Sequence, residues 1–311
     1  RADGGGAAPA FAQRISDLLA TLVRNRVAPS GSYERFPSAS RRFPRRLAFP
    51  LCKRLPMNKT LDYIFPNPPK GLDPAALDPR AIPEHVAVIM DGNGRWAKKR
   101  ALNRLKGHKA GIEAVRETIR CASDLGVRYL TIYSFSTENW KRPLEEVSAI
   151  VGLLKKYLLE SIEKMEKDKI KLHFFGDLEP LPQELKDMCR KTSEISERYE
   201  GMQVNVCFNY GGRDEIVRAA RHFAADCAAG GRKPKELTEV LFSEYLCSNG
   251  VPDPDLVIRP SGEVRISNFL LWQSAYAEFY FTDVLWPDFS KEELHRALAA
   301  YQGRSRRFGG V

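Results

Sequence analysis

Apolar residues recur along the chain in two alternating patterns. Short apolar runs, typical of buried strands, lie at 85–90, 128–134, 170–175, 203–208, 256–259 and 278–281. Between them the apolar positions repeat with helical spacing, at about 108–124, 143–168, 181–198, 213–228, 236–247 and 290–301. This alternation predicts one α/β domain with a six-stranded, mostly parallel sheet flanked by helices on both faces. Ligands bind at the carboxyl ends of parallel strands, so Asp91, Ser136 and Arg259, which close or follow predicted strands, should converge on one site.

The helical pattern from Leu144 to Asp168 carries a wide apolar stripe. Its members are Leu144, Val147, Ile150, Val151, Leu154, Tyr157, Leu158, Ile162 and Met165. A stripe at this spacing is typical of a helix packed against a core. The default interpretation is therefore that these residues cover the sheet.

The segment from His85 to Trp96, HVAVIMDGNGRW, carries the sharpest chemical signal. An apolar strand runs directly into Asp91, two glycines and Arg95. Gly92 and Gly94 would let backbone N–H groups approach an anion closely, and a guanidinium donates a fork of hydrogen bonds that suits phosphate oxygens. A carboxylate would repel a bare diphosphate, but Mg²⁺ placed between the two would remove the conflict. The segment therefore predicts a magnesium-dependent phosphate site.

Two other interpretations of this segment compete. Asp-Gly and Asn-Gly are also common in tight turns that bind no ligand. Gly92, Gly94 and Ala97 also match the G-x-G-x-x-G/A spacing of a dinucleotide-binding fold. That fold needs an acidic residue about 20 positions later, at the end of a second strand, whereas Glu113 lies within a helical pattern. A nicotinamide-cofactor site is therefore the weaker alternative.

The charge of the chain is unevenly distributed. The formal net charge is +10, but residues 1–56 contain 11 Lys and Arg and only 3 Asp and Glu. Their net charge of +8 leaves +2 for the rest of the chain, so we expect no nucleic-acid partner. The six cysteines are widely spaced, without a C-x-x-C pair, which favours reduced thiols. No apolar run reaches the roughly 18 residues of a membrane span, so any membrane contact should be peripheral.

Residues 1–56 differ in composition from the rest of the chain. They are rich in Arg, Ser and Pro and poor in acids, which is typical of a targeting segment or a disordered basic arm. Met57 opens MNKTLDYIFPNPPKG, which looks like a bacterial start shortly before the first predicted strand. We favour an upstream extension outside the working enzyme over a targeting or membrane-tethering arm. The predicted organisation is this extension, a Pro-rich lead-in at 57–83 and a folded catalytic domain at 84–311.

Further motifs follow in order along the chain. They are RLKGHKAG from Arg104 to Gly111, YSFSTENWKR from Tyr133 to Arg142, VIRPSGEVRISNF from Val257 to Phe269 and WQSAYAEFYFTDVLWPDF from Trp272 to Phe289. Together with the HVAVIMDGNGRW segment they closely resemble the cis-prenyltransferase family and, within it, the bacterial undecaprenyl diphosphate synthases, also called isoprenyl transferases. The resemblance extends from about Ile82 to Val311.

The resemblance implies an enzyme that adds isopentenyl diphosphate repeatedly to an allylic diphosphate, usually farnesyl diphosphate, with Mg²⁺ as cofactor. Each addition forms a cis double bond. The expected product is a long-chain polyprenyl diphosphate such as undecaprenyl diphosphate, the lipid carrier precursor for cell-wall polysaccharides. The resemblance also implies a fold with a hydrophobic tunnel and a homodimer with the Arg265 segment near the subunit boundary. The enzyme is expected to be cytoplasmic, with peripheral contact to the inner face of the membrane through its polyprenyl product.

Alternatives to this function remain open. Product length does not follow from the sequence, so a short- or medium-chain cis-prenyl diphosphate synthase is one alternative. A non-catalytic partner subunit would lack the phosphate-loop residues, whereas Asp91, Arg95 and the segment 259–268 are present. A trans-type prenyltransferase or terpene cyclase would be all-helical and carry D-D-x-x-D motifs, which the sequence lacks.

The resemblance assigns roles to individual residues. Asp91 and Asn139 are the predicted catalytic residues, with Asp91 handling Mg²⁺ and the leaving diphosphate. Asn139 is assigned to proton removal, where an amide would orient a diphosphate oxygen that takes the proton. Glu278 is the predicted second metal-associated carboxylate. The allylic diphosphate is assigned to Gly92, Asn93, Gly94, Arg95, Arg104 and His108, the isopentenyl diphosphate to Arg259, Arg265 and Ser267, and the reacting groups to Ser136, Asn139, Trp140 and Arg142. The predicted substrate-binding set is completed by Trp96, Thr137, Glu138 and Ile266.

One position departs from the family pattern. Many bacterial relatives carry His where this chain has Val264, and that His is sometimes counted as a metal ligand. Because Mg²⁺ prefers oxygen ligands and retains water readily, a water molecule could replace the missing nitrogen. We therefore expect altered metal affinity without a necessary loss of activity.

Overall fold

The computed structural model describes Met57 and residues 59–304, with the side chains of residues 161–165 left out. The predicted extension at 1–56 therefore lies outside the described residues, as do residues 305–311. The α-helices of the described part are α1 (Leu61–Ile64), α2 (Asn93–Lys99), α3 (Arg104–Asp124), α4 (Leu144–Asp168), α5 (Gln183–Ser196), α6 (Gly212–Ala228), α7 (Glu239–Ser243) and α8 (Lys291–Gln302). Short 3₁₀ turns lie at Pro74–Ala76, Pro79–Ala81, Thr137–Lys141, Pro234–Glu236 and Trp286–Asp288.

The strands form one sheet. They are β1 (His85–Ile89), β2 (Tyr129–Ser136), β3 (Lys171–Phe175), β4 (Gln203–Tyr210), β5 (Leu256–Arg259) and β6 (Glu278–Phe281). Their order is β3-β4-β2-β1-β5-β6, and every pairing is parallel. The predicted α/β fold with six strands is confirmed, and the sheet is wholly rather than mostly parallel.

The central strand β1 is buried along its whole length, and its Val86, Ala87 and Val88 side chains are 0% exposed. Burial on both faces is expected of a parallel strand that helices cover from both sides, and it explains the continuous apolar run. The neighbours of β1 are β2 and β5. Because parallel strands end at the same edge of a sheet, this order brings the segments after β1, β2 and β5 together.

Two helix boundaries differ from the prediction. Helix α3 begins at Arg104 rather than near 108, because the Asn103 side chain accepts a hydrogen bond from the Lys106 N–H at 3.0 Å and caps the helix. The predicted helix at 236–247 shortens to α7, where Thr238 caps the Leu241 N–H at 3.1 Å. Beyond α7 the chain continues in turns with hydrogen bonds to the third preceding carbonyl. Their apolar spacing resembles that of a helix.

No helix within the described residues is long and apolar enough to span a membrane.

Candidate active site

The loop after β1 begins the site. Gly92 adopts a left-handed backbone conformation (φ 108°) and caps α2, and a Cβ there would lie 3.0 Å from the Leu285 side chain. A Cβ at Gly94 would lie 2.7 Å from Nε of Arg104. Position 92 therefore needs glycine for its conformation, whereas a side chain at Gly94 would displace the Arg104 guanidinium. Helix α2 starts directly after Gly92.

Asp91 joins two arginines from different segments. Its Oδ2 accepts a hydrogen bond from Nη2 of Arg259 at 2.9 Å, and its Oδ1 lies 3.3 Å from Nη2 of Arg95. Partial burial opposes ionisation of this carboxyl, but the hydrogen bond and charge of Arg259, with help from Arg95, outweigh it. The pKa of Asp91 is therefore below its ordinary value, and the carboxylate is charged at neutral pH.

Arg259 lies at the end of β5 and is 4% exposed. Its Nη1 donates to Oγ of Ser267 at 2.7 Å and to the carbonyl of Arg265, so the buried guanidinium organises the segment that follows it. Its Nε is buried and has no hydrogen-bond partner among the described residues. A buried unpaired donor is costly, and an anion in the adjacent cavity would offset that cost.

The segment after β5 carries backbone strain. Ser261, Ser267 and Asn268 have φ values of 89°, 48° and 62°, in the left-handed region that favours glycine. Such conformations cluster at functional sites, where surrounding contacts hold them. Arg95 supplies one of these contacts, because it donates to the Ser261 carbonyl at 2.8 Å and to its Oγ at 2.6 Å. Glu263 pairs with Arg95 at 3.2 Å and also with Arg265.

A second carboxylate, Glu146, holds two arginines and a histidine. Its Oε2 lies 3.0 Å from Nη1 of Arg104, and its Oε1 lies 2.9 Å from Nη1 of Arg142 and 3.3 Å from Nε2 of His108. Burial opposes ionisation of Glu146, but Arg142 and Arg104 lower its pKa below the ordinary value. Burial also lowers the pKa of His108 despite this carboxylate, so His108 is neutral at neutral pH.

The turn after β2 places polar groups above the cavity. Oδ1 of Asn139 accepts a hydrogen bond from the Ser136 N–H at 3.2 Å, which leaves the Asn139 NH₂ group as a donor for a ligand. Nε1 of Trp140 donates to Oδ1 of Asn209 at 2.7 Å, and Glu138 accepts from Nδ2 of Asn268 at 2.9 Å. These bonds fix the turn against β4 and the segment after β5.

These groups surround a cavity of about 650 Å³. Its polar lining includes Asp91, Asn139 and four arginines, namely Arg95, Arg104, Arg142 and Arg259. Its apolar lining includes Ile132 and Val206, which pair in the sheet and lie level with Val88, three residues before Asp91. The cavity therefore combines charged groups at the strand ends with an apolar wall that extends over the face of the sheet.

The apolar stripe of α4 divides between the core and the cavity. Ile150, Leu154 and Tyr157 line the cavity, whereas Val147, Val151 and Leu158 are at most 1% exposed and do not line it. Leu144 is exposed, and the side chains of Ile162 and Met165 lie outside the described ones. Some residues of the stripe thus pack in the core, as predicted, and others line the cavity.

A family model described as "Putative undecaprenyl diphosphate synthase" matches residues 89–309, well over half of the chain. The chain belongs to the cis-prenyltransferase family. The isoprenyl transferase of Clostridium tetani is 48% identical to this cis-prenyltransferase over 242 residues, which is 78% of this chain and 95% of the relative. The isoprenyl transferase of Thermotoga maritima is also 48% identical, over 230 residues, 74% of this chain and 98% of the relative. The chain is therefore a prenyltransferase enzyme, as predicted.

Solved structures of relatives show the same fold. A lavandulyl diphosphate synthase from Lavandula x intermedia, in complex with dimethylallyl diphosphate, aligns with a TM-score of 0.72 and 37% identity. That alignment covers 74% of this chain and all of the relative. A probable undecaprenyl diphosphate synthase from Campylobacter jejuni aligns with a TM-score of 0.61 and 32% identity, over 73% of this chain and 99% of the relative.

Most residues predicted for the site of this cis-prenyltransferase line the cavity. They are Asp91, Gly92, Asn93, Gly94, Arg95, Arg104, His108, Ser136, Glu138, Asn139, Arg142, Arg259 and Ser267. Five predicted substrate-binding residues do not line it, namely Trp96, Thr137, Trp140, Arg265 and Ile266. Of these, Trp96 donates instead to Asp288 at 2.6 Å, with Arg100 over its ring.

Glu278 lies away from the other predicted residues. Glu278 is the first residue of β6 and pairs in register with Leu256 of β5, which in turn pairs with Val86 of β1. Val86 precedes Asp91 by five residues, so Glu278 is offset from Asp91 by five residues along the strand direction. That offset is roughly 16 Å. Its carboxylate forms an ion pair with Arg304 at 2.8 Å. The structure does not bring Glu278 to Asp91 within one chain, and its role in metal binding stays a prediction.

The sequence-based site omitted residues that the structure joins to it, among them Glu146, which contacts cavity-lining residues, and Asn268. Glu146 looked like an ordinary acidic residue in the first turn of a helix, although its spacing of four from Arg142 favours an ion pair. Asn268 lines the cavity and also accepts a hydrogen bond from the Arg213 N–H at 2.9 Å. The positive φ of Asn268 could not be predicted from the sequence, because Asn adopts both the left-handed and the ordinary right-handed backbone regions.

Proposed function

We propose that this prenyltransferase condenses isopentenyl diphosphate with an allylic diphosphate, farnesyl diphosphate in the first round, to give a long-chain cis-polyprenyl diphosphate. One observation carries the proposal. Cations from the ends of three strands or the segments after them, and from α3, line a cavity that also has an apolar wall, which includes Ile132, Leu154 and Val206. Two diphosphates need the cations, and a growing hydrocarbon chain needs the apolar wall. We propose undecaprenyl diphosphate as the product, which would supply the lipid carrier for cell-wall polysaccharides.

The two diphosphates would bind to different groups of side chains. Arg95, Arg104 and His108, with the N–H groups of the loop after β1, would hold the allylic diphosphate. Arg259, Arg265 and Ser267 would hold the isopentenyl diphosphate. The chain segments that supply the groups support this division, since the second set comes entirely from the end of β5 and the segment after it.

A magnesium ion would fit beside Asp91. Among the described residues, no group of three or more His, Cys, Asp or Glu side chains could hold a metal ion by itself. Mg²⁺ does not need such a cage, because it commonly binds one or two carboxylates together with substrate phosphates and water. When bound, the ion would neutralise negative charge that develops on the leaving diphosphate. Asp91 would hold it, and Val264, 74% exposed, offers no ligand atom.

The reaction can be written with this chain's own residues. The C1–O bond of the allylic diphosphate breaks, a C–C bond forms to C4 of isopentenyl diphosphate, and a proton leaves C2 of the latter. Arg95 would stabilise the charge on the departing diphosphate. Asn139 would donate from its NH₂ group to a diphosphate oxygen of the isopentenyl substrate and orient it to take the proton. The hydrogen bond that its Oδ1 accepts from Ser136 supports this orientation.

A shorter product is the second candidate. The lavandulyl diphosphate synthase that aligns with this chain binds dimethylallyl diphosphate, a short allylic substrate. Tyr157 also adds a bulky ring to the apolar wall of the cavity. Product length is the measurement that separates the two candidates.

We further propose a homodimer and peripheral contact of a cytoplasmic enzyme with the inner face of the membrane. Val264, next to Arg265, and Tyr276, which follows this segment, are each 74% exposed, which supports a subunit boundary near Arg265. The apolar cavity wall supports a product that partitions into lipid.

Incubation of the purified chain with labelled isopentenyl diphosphate, farnesyl diphosphate and Mg²⁺ tests the proposal. We expect labelled polyprenyl diphosphates, whose length after extraction gives the product class. A purified chain that does not turn over would instead indicate a non-catalytic partner subunit. Products with one or two added units would favour the short-chain candidate.

A further inference from the structure

An exposed run of residues borders the mouth of the cavity. All nine residues from Lys98 to Lys106 are exposed, and Arg104 within the run also lines the cavity. The run connects α2 to α3, and Lys109 in the next turn of α3 is exposed as well. The entrance patch is defined here as Lys98, Lys99, Leu102, Leu105, Lys106 and Lys109.

The entrance patch has an excess of positive charge. From Arg95 to Ile112 the chain contains seven Lys and Arg and no Asp or Glu. Three of these cations are neutralised, because Arg95 pairs with Asp91 and Glu263, Arg100 pairs with Asp288 at 3.1 Å and Arg104 pairs with Glu146. Within the described part of the chain, the four patch lysines form no ion pair. Four uncompensated positive charges therefore face solvent beside the cavity.

The entrance patch also exposes apolar side chains. Leu102, between α2 and α3, is 41% exposed, and Leu105, in the first turn of α3, is 36% exposed. The two helices already pack closely, since a Cβ at Gly107 would lie 2.1 Å from the Asn93 carbonyl oxygen. Leucines between lysines are typical of surfaces that bind the lipid interface, where cations attract anionic headgroups and apolar groups insert below them.

We propose that the entrance patch docks this enzyme on an anionic phospholipid membrane, with the cavity mouth at the lipid surface. The inference rests on the proposed function, because an apolar polyprenyl product needs a path that avoids water. The charge of the patch complements phosphate headgroups, and Arg104 makes the patch continuous with the cavity wall. A nucleic acid would also attract the lysines but would gain little from Leu102 and Leu105.

Vesicle binding by the full chain tests this docking. The charge variant combines Lys98→Gln, Lys99→Gln, Lys106→Gln and Lys109→Gln, and the apolar variant combines Leu102→Ser and Leu105→Ser. The matched control removes the same charge at exposed positions elsewhere, through Lys70→Gln, Lys191→Gln, Lys233→Gln and Lys235→Gln. Each protein is sedimented with vesicles of equal parts phosphatidylcholine and phosphatidylglycerol, and with vesicles of phosphatidylcholine alone.

We expect the charge variant to bind the anionic vesicles about tenfold more weakly or worse, with the control close to the parent chain. The apolar variant should lose the part of the binding that persists at high salt, because insertion of leucine is not screened. Equal losses in the charge variant and the control would overturn the inference, as would unchanged binding of the patch variants. So would lysine-dependent binding to RNA without binding to vesicles.

Turnover in detergent separates this inference from the proposed function. All variants should elongate prenyl diphosphates in detergent as the parent chain does, because none changes a residue placed at the substrates. Absence of turnover in the parent chain contradicts the proposed function whatever the vesicles show. Normal turnover with unchanged vesicle binding in the patch variants contradicts the docking surface alone.

Discussion

The two ends of the parallel sheet use polar side chains in opposite ways. At the carboxyl ends, the charged groups of Asp91 and Arg259 meet beside the cavity, and the buried Nε of Arg259 has no partner among the described residues. At the amino ends, His85, Thr131 and Asn205 form a buried series of neutral groups. The first arrangement is incomplete without a ligand, and the second is satisfied within the protein.

The hydrogen bonds at the amino ends have a fixed direction. Nδ1 of His85 must donate to the Pro252 carbonyl, at 2.7 Å, because a carbonyl oxygen only accepts. Nε2 of His85 then accepts from the Thr131 hydroxyl at 2.7 Å, and that hydroxyl oxygen accepts from Nδ2 of Asn205 at 3.0 Å. Burial lowers the pKa of His85 to about 4, so the ring is neutral at neutral pH.

Function and stability therefore depend on opposite ends of the sheet. Changes at the carboxyl ends should reduce turnover with little effect on the free energy of unfolding. Changes at the amino ends should reduce the free energy of unfolding with little effect on turnover at neutral pH.

Asp91→Ala should have the largest effect at the carboxyl ends. Loss of a well-placed electrostatic group that acts in the transition state lowers kcat roughly 10²- to 10³-fold. Asp91→Asn, which keeps the size of the side chain, should lose nearly as much, because the charge is what matters. The measurement is steady-state turnover at saturating Mg²⁺ with urea unfolding of each variant. Near-normal turnover of either variant would remove Asp91 from the phosphate site.

His85 should make the amino ends sensitive to acid. Its folded pKa of about 4 lies below the ordinary 6.5, so between these pH values the unfolded chain binds a proton that the folded chain does not. The free energy of unfolding therefore falls as pH is lowered through this window, by roughly 3 kcal/mol for a shift of this size. His85→Gln should flatten this part of the pH profile in urea unfolding, and exposed His222→Gln should not. Identical profiles would contradict the neutral buried ring.

The arginines should divide between the two substrates. Arg259→Ala and Arg265→Ala should raise the KM for isopentenyl diphosphate by about tenfold or more, with a smaller rise for farnesyl diphosphate. Arg95→Ala should show the reverse preference. The measurement is KM for each substrate with the other at saturation. Equal effects of all three changes on both substrates would end this division of roles.

The sequence predicted the scaffold better than the details of the site. All six strands fall within about two residues of their predicted bounds, because burial on both faces of a parallel sheet leaves continuous apolar runs. The loop at Asp91 was predictable for a similar reason, since Asp and Gly directly after a strand form a local pattern. Glu146 and Asn268 depend on tertiary contacts and on a left-handed backbone, which no local pattern encodes.

Glu146 is a buried charge at the functional end of the sheet, so it could contribute to substrate binding or to stability. Glu146→Gln should raise the KM for the allylic diphosphate by about tenfold, since a hydrogen bond between charged groups contributes about 1.5–3 kcal/mol and Arg104 would lose its orientation. The matched control is Glu145→Gln, one residue earlier and exposed. A lower free energy of unfolding without a change in KM would assign Glu146 to stability alone.

The smallest effect is expected from removal of residues 1–56. This segment supplies +8 of the net charge of +10 but contains none of the family motifs. A chain that starts at Met57 keeps Lys59, whose Nζ pairs with Asp124 of α3 at 3.2 Å, so the first described contact with the catalytic body is retained. We therefore expect this chain to fold, dimerise and elongate prenyl diphosphates in detergent at an unchanged rate.

The shortened chain should differ from the full chain only in binding to anionic vesicles at low salt. Basic residues near a membrane surface contribute up to about 1 kcal/mol each, and salt screens that contribution. The entrance patch remains in the shortened chain, so part of the binding should persist and should still depend on the patch lysines. A large fall in kcat for the Met57 chain in detergent would show that the extension supports the charged end of the sheet. The boundary between extension and catalytic domain would then move towards the amino terminus.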